Sequence, residues 1–342
     1  MEHMMSPRKK RVKREDDDVL FKSTQQAWAV VLAKARDEDL KDDAVKADVA
    51  EVLGRFVARN HALVKEIEQA LNSIVKGAKT PENATKAALL VDAVRFALVS
   101  LPKDEHFKCS LESFVGLVKD ADHNCRRAAL QLLSVIGRRN SSQNDDLSPL
   151  LAKVLPDVLS QLQVNHALIK EIDLGPFKQK FDYGLELRTA AYDFVDVLLS
   201  RPKSALGFAI PEDDIESMVD AMIVVGLEDP DRSIRMAVHA TFEKLCQDSV
   251  PNGAEYVLKN ADKACELLLK TLWTEAPEKA VQHEKDQVDE LVKSALKVVK
   301  AMETIPDVES YPKIVETKKE IVDDAPLAKL WTALYDSPPL EI

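Results

Sequence analysis

The side chains best suited to bond chemistry are scattered along this 342-residue chain rather than gathered. The four cysteines, Cys109, Cys125, Cys246 and Cys265, include no CxxC pair, and none stands at a metal-ligand spacing from a histidine. They read as small buried hydrophobes of a reducing compartment. The seven histidines offer no Ser/His/Asp or Cys/His set, and no GxSxG, HExxH, P-loop or GxGxxG occurs. The acids Glu212-Asp213-Asp214 are the usual complement to the dipole at a polar helix start. No active site, metal or cofactor is expected. What remains is recognition chemistry, concentrated in two places.

The first is a basic run, Arg8, Lys9, Lys10, Arg11, Lys13 and Arg14, followed by Glu15-Asp16-Asp17-Asp18. Such a cluster in a tail, residues 1–18, can lie extended in the acidic groove of an import receptor. A solvated tail or a weak nucleic-acid contact is the alternative. The second is His166 to Gly184, where the helical period gives way to alternation. Gly175-Pro176 suits a two-residue type II′ turn, with glycine at the position that needs positive φ. That turn sets Leu174 opposite Phe177, Asp173 opposite Lys178, Ile172 opposite Gln179, Glu171 opposite Lys180 and Lys170 opposite Phe181. One face then carries the pairs Asp173–Lys178 and Glu171–Lys180; the other carries Ile172, Leu174, Phe177 and Phe181. Such pairs contribute about 0.2–1 kcal/mol each, and a lone hairpin is marginal in water. The apolar face must therefore pack, either on its own chain or, with the tip projecting, in a partner's groove. A third charged stretch, Glu275 to Asp289, reads as a solvated connection.

These elements need a scaffold, and composition says which kind. Glycine is scarce, at nine residues, and aromatics are few, which argues against a sheet-rich fold. The overall charge is −11. Residues 1–14 hold six Lys or Arg against one Glu, a local +5, so the remainder is near −16. That disfavours nucleic acid as the main partner. No apolar stretch reaches the ~18 residues of a membrane span, and Met1 to Arg14 lacks an apolar secretory core. An intracellular protein, nuclear and cytoplasmic, is expected, with no membrane partner.

Six segments share one pattern, a basic residue followed by small and apolar residues at helical spacing. They begin at Lys46, Lys86, Arg127, Arg188, Arg235 and Lys293. Their intervals are 40, 41, 61, 47 and 58 residues. The short ones match the HEAT or armadillo unit of roughly 40–47 residues; the long ones are that unit with an insertion. The first helices of the pairs are expected at Val19–Ala35, Leu63–Val75, Phe107–Val118, Leu147–Gln161, Ile215–Gly226 and Tyr256–Trp273. Pro102, Pro202 and Pro306 fall after second helices. Asp120-Ala-Asp122, Asp182 and Asp229-Pro-Asp231 precede second helices and are expected to cap them. The arginine six residues after the first acid is expected to reach back to loop carbonyls or acids. Each segment is too apolar to stand alone, so neighbours must stack. The expected fold is all-α, a HEAT/armadillo-like α-solenoid over residues 19–342 with one inserted β-hairpin at about 166–184.

The hairpin also carries a resemblance. Leu168 to Leu199, LIKEIDLGPFKQKFDYGLELRTAAYDFVDVLL, closely resembles the carboxy-terminal region of the Cand family, the cullin-associated, neddylation-dissociated proteins. Asp120 to Val135 and Val281 to Glu309 look like the family's neighbouring blocks, and the similarity runs from about Val45 to Leu334. The resemblance implies a non-catalytic regulator of cullin-RING ubiquitin ligases. Members of the family are long HEAT solenoids that wrap an unmodified cullin bound to its RING subunit. Their amino-terminal arch covers the neddylation site. Their carboxy-terminal repeats hold the cullin's amino-terminal domain, and the hairpin occupies the surface used by substrate-receptor adaptors, which are thereby exchanged.

Carried over residue by residue, the wedge is Leu174, Gly175, Pro176, Phe177 and Lys178, flanked by Glu171, Ile172, Asp173 and Lys180. The chain corresponds to only the carboxy-terminal quarter to third of such a protein, so covering of the neddylation site does not carry over. A separate N-terminal HEAT-repeat chain is the expected companion, docking on Trp28, Val31, Leu32, Leu53 and Phe56; a piece of a longer protein is the alternative. Without the resemblance, a general HEAT-repeat scaffold or transport-type adaptor would be the reading.

Overall fold

A computed structural model describes residues 22–37, 40–102, 111–139, 147–173, 175, 178–200, 210–247 and 252–336. The chain divides into two compact units, Met1–Ile136 and Gly137–Ile342. Both are helical, and the sheet among the described residues is one antiparallel pair of strands.

The first unit contains α1 (22–34), α2 (Asp43–Arg59), α3 (Val64–Lys76), α4 (Pro81–Ser100), α5 (Glu112–Val115) and the start of α6 (His123–Arg138). Its helix starts follow capping chemistry. Asp42 accepts from the N–H groups of Ala44 and Val45 ahead of α2. Thr80 accepts from Asn83 N–H ahead of α4, with Pro81 in the first turn. The segments from Lys46 and Lys86 are α2 and α4, and they pack side by side. Gly54 makes that approach close: a Cβ there would stand 2.6 Å from Phe96 Cβ and 2.8 Å from Ala93 O. Leu53 and Val57 of α2 and Leu90, Val94 and Ala97 of α4 are buried. The expected helix at Phe107–Val118 is short in its described part, four residues of α5 and then a 3-10 turn, Gly116–Lys119.

The second unit runs α7 (Leu147–Ser160), β1 (Ile169–Asp173), β2 (Lys178–Asp182), α8 (Leu185–Leu199), α9 (Glu212–Val224), α10 (Arg232–Leu245), α11 (Gly253–Lys259), α12 (Ala261–Leu272), α13 (Gln282–Met302), α14 (Pro312–Asp323) and α15 (Ala325–Asp336). The segments from Arg188, Arg235 and Lys293 are α8, α10 and α13. Consecutive ones are neighbours, α8 with α10 and α10 with α13, as stacked helical pairs require. On α13 the buried positions are Val288, Leu291, Val292, Ala295, Leu296, Val298, Val299 and Met302; all but Val298 follow the three-and-four spacing of a helix with one apolar face.

Polar ties cross the same seams. Asp196 of α8 accepts from Thr241 Oγ1 at 2.7 Å and Lys244 Nζ at 2.8 Å on α10. His239 of α10 meets Ser294 of α13 at 2.7 Å. The protein is thus all-α, built of HEAT-type pairs with one inserted hairpin.

One sequence expectation needs correction. Tyr256–Trp273 is two helices, not one. Asn260 Nδ2 donates to Tyr256 O, the carbonyl that a continuous helix would give to the backbone N–H of residue 260, and that N–H turns to Val257 O instead. A further pair, α14 and α15, follows the last recognised segment. Pro312 opens α14, and Asp324 accepts from Leu327 N–H to start α15.

Candidate functional site

The hairpin forms in the register that its turn dictates. Ile169 pairs with Asp182, Lys170 with Phe181, Glu171 with Lys180, Ile172 with Gln179 and Asp173 with Lys178. Gly175 has φ +84°, the left-handed region glycine adopts without a Cβ clash. Of the expected wedge, Leu174, Pro176 and Phe177 lie outside the described residues. Gly175, Asp173, Glu171, Lys178 and Lys180 are exposed, and Ile172 is half-buried.

The charge pattern differs in detail from the direct pairs expected. Lys178 Nζ meets Glu171 Oε1 diagonally at 2.9 Å, while Asp173 Oδ1 accepts from the Gly175 N–H at 3.1 Å. An Asp side chain bonding two residues on stabilises a turn, so this acid serves the tip rather than the ladder. On the other face, Lys170 Nζ lies 5.4 Å from the centre of the Tyr183 ring, within cation–π range. Tyr183 is 46% exposed. The alternation pattern missed it because it stands one residue past β2.

The base of the hairpin is held by buried ionic contacts. Asp182, at the end of β2, accepts from Gly184 N–H at 2.8 Å and from Arg188 Nη1 at 2.7 Å. Arg188 is 1% exposed and donates its other edge to Asp229, Nε–Oδ2 3.0 Å and Nη2–Oδ1 3.3 Å. Burial opposes the guanidinium charge, but the Asp229 and Asp182 carboxylates outweigh it and hold the Arg188 pKa above its ordinary value. Asp229 Oδ1 also accepts from Asp231 N–H, and Asp231 caps α10 through Ser233 N–H at 2.9 Å.

The capping expectation holds for Asp231 and Asp122, the second acids of their pairs; the first acids, Asp229 and Asp120, fold the loop instead. Asp182 does not cap α8, whose N-cap is Gly184. Arg188, six residues after Asp182, reaches back to that acid as expected, and it also binds Asp229 in the loop of the following pair. The separation of 41 residues is one repeat length, which is the signal that could have found it.

Burial pushes the Cys125 thiol up to about 12, helped by Asp120 and Asp122, and burial with Glu243 does the same to Cys246. Neither can supply a thiolate near neutrality. Burial, then Arg235, lowers His239 to about 3. Among the described residues no group of three or more His, Cys, Asp or Glu could hold a metal ion. No helix among the described residues is long and apolar enough to cross a membrane. The basic run of residues 8–14 lies outside the described residues, as does Cys109.

The residues expected to receive a companion chain are partly occupied within their own unit. Trp28, 5% exposed, stacks edge-on against Phe56 with ring centres 5.8 Å apart and donates from Nε1 to Glu66 Oε2 at 2.7 Å. Leu53 is fully buried. Val31, Leu32 and Phe56 are half-buried, so the five do not form one open apolar face.

With this geometry in hand, the comparisons are specific. Residues 147–323, just over half the chain, match the family described as TIP120, TATA-binding protein interacting (TIP20). The match opens at the first residue of α7 and closes at the last of α14, with the hairpin inside it. Cullin-associated NEDD8-dissociated protein 1 of Arabidopsis thaliana is 31% identical over 267 residues, 78% of this chain and 20% of that protein. Its Dictyostelium discoideum namesake is 27% identical over 300 residues, 86% of this chain and 22% of that protein. A protein of Emericella nidulans named as the C-terminal part of cullin-associated NEDD8-dissociated protein 1 is 26% identical over 282 residues, 80% of this chain and 24% of that protein. The chain spans about a fifth to a quarter of the length of these relatives.

Proposed function

Because the chain belongs to the TIP120 family, and matches the carboxy-terminal part of cullin-associated proteins, we propose that it is a non-catalytic regulator of cullin-RING ligases. It binds the unmodified cullin with the hairpin and displaces substrate-receptor adaptors by competing for their surface. The observation that carries this reading is the hairpin itself. A register-specified ribbon with Asp173, Gly175 and Lys178 exposed beside its turn and a buried ionic base is a loop element positioned by a rigid scaffold.

The mechanism needs no bond chemistry. A ternary state forms through the helical repeats, the tip enters the adaptor's groove, and adaptor release quickens because the two occupants exclude each other. The wedge is Leu174, Gly175, Pro176, Phe177 and Lys178, with Glu171, Ile172, Asp173 and Lys180 around it. A separate N-terminal HEAT-repeat chain is the proposed companion, and a relative that is itself named a C-terminal part supports that reading. Val31, Leu32 and Phe56 are its remaining candidate contacts. The run Arg8 to Arg14 is proposed to engage an import receptor, giving a nuclear and cytoplasmic protein.

The test is size-exclusion chromatography of the purified chain with an unmodified cullin–RING complex, alone and with a candidate N-terminal HEAT chain. Co-elution in either arm supports the reading. A folded, helical sample that co-elutes in neither arm removes the cullin as partner.

A further inference from the structure

Two side chains of α8, one helical turn apart, tie both ends of the hairpin to the following pair of helices. Arg188 joins Asp182 at the hairpin's exit to Asp229 in the turn between α9 and α10. Tyr192 donates from its hydroxyl to Leu162 O, on the chain entering the hairpin, at 3.3 Å. Its ring lies against Gly226, where an added Cβ would meet Tyr192 Cε1 at 3.0 Å and Val238 Cγ2 at 2.7 Å. Residues four apart on a helix face the same side, so one stripe of α8 holds the entry, the exit and the next turn together. Gly184 is also tight, with Leu168 Cδ1 3.3 Å from the position its Cβ would take.

We propose that this clamp is a positioning device for the hairpin, with Asp182 and Arg188 as its positioning residues. It rests on the reading of the hairpin as the partner-binding element. The two carboxylates have different duties. Asp229 is as buried as Arg188 and neutralises it, which makes that half of the clamp a requirement for folding. Asp182 keeps part of its side chain in solvent and is the only one of the two that lies on the hairpin. Its two oxygens divide between Gly184 N–H and Arg188 Nη1, so the ribbon leaves α8 at one fixed angle. A ribbon held in this way meets its partner with its ordering entropy already spent, which favours fast, tight association.

The experiment uses the full chain and the variants Asp182→Ala and Asp182→Asn, read by amide exchange and by binding kinetics to an unmodified cullin–RING complex. Asp182→Ala should keep its helical signal and melting temperature close to the parent's while exchange of the amides of residues 170–173 and 178–181 quickens by about tenfold or more, the signature of local opening. Asp182→Asn, which keeps one oxygen to accept from Gly184 N–H but has no second acceptor for Arg188 Nη1, should fall between the two. Association with the cullin complex should slow by roughly 3–10-fold, the size expected when a pre-organised state is partly lost. Unchanged hairpin exchange in Asp182→Ala would overturn the clamp, whatever the binding result. Faster exchange with no binding by the parent would uphold the clamp and remove the cullin reading instead.

Discussion

Arg188 of one helical pair and Asp229 of the next are joined side-on, at 3.0 and 3.3 Å, with both side chains essentially out of solvent. A buried pair of this kind adds little over an apolar replacement of similar shape, but breaking it leaves a charge without a partner. It therefore fixes which surfaces of the two pairs meet rather than adding bulk stability.

Arg188→Met is the direct check. Asp229 would be left buried and negative, and the chain should lose about 3–5 kcal/mol in urea unfolding. The double replacement Arg188→Met with Asp229→Asn should recover a large part of that loss. If the double variant is as unstable as the single one, the cost lies in packing and not in the orphaned carboxylate.

A second expectation concerns pH. His239 is buried and neutral in the folded chain, with burial and Arg235 lowering its pKa from 6.5 to about 3. The unfolded chain takes up a proton below about 6.5 while the folded chain does not. Stability is therefore complete above that value and falls as pH drops towards 3, by about 2 kcal/mol at pH 5. His239→Asn keeps a donor for Ser294 and has no proton to gain. Its unfolding free energy should be flatter between pH 7 and 5 than the parent's, and equal slopes would contradict the assignment.

At the tip, Leu174→Asp combined with Phe177→Asp should cut affinity for a cullin–RING complex by 100-fold or more, on the order of two apolar anchors lost. Melting should hardly change, because the described residues beside the turn, Asp173, Gly175 and Lys178, are exposed. Undiminished binding by the double variant would assign recognition to the helices alone.

For the basic run, alanine at Arg8, Lys9, Lys10 and Arg11 should shift a fluorescent fusion of the full chain from nucleus to cytoplasm in living cells. An unaltered nuclear fraction would remove the import reading.

Much of this molecule was legible in its residues, and for identifiable reasons. The six basic-led segments become second helices because their spacing of apolar residues admits no other buried face. The hairpin register followed from Gly175-Pro176 alone, since a two-residue turn leaves one way to pair the strands, and the observed pairs from Lys170–Phe181 to Asp173–Lys178 are those. What was not legible depends on contacts between repeats. Asp229 has an arginine six residues ahead in its own pair, yet it binds one 41 residues back. The break at Asn260 was hidden because the flanking apolar period continues through it. Trp28 and Leu53 looked like an open end because apolar residues at a chain's first repeat have no visible neighbour in the sequence; α1 and α3 supply one through the Trp28–Glu66 bond.

The central claim, that this chain acts on cullins by competing with their adaptors, is tested most directly by adaptor release. A cullin–RING complex carrying a fluorescently labelled substrate-receptor adaptor is mixed with excess unlabelled adaptor, and the dissociation rate is followed by energy transfer. Adding this chain, with a candidate N-terminal HEAT chain, should raise that rate in a concentration-dependent way, and the Leu174→Asp, Phe177→Asp variant should not. A rate that stays at its spontaneous value while the chain is shown to be bound would contradict competition and leave a cullin-binding protein with some other task.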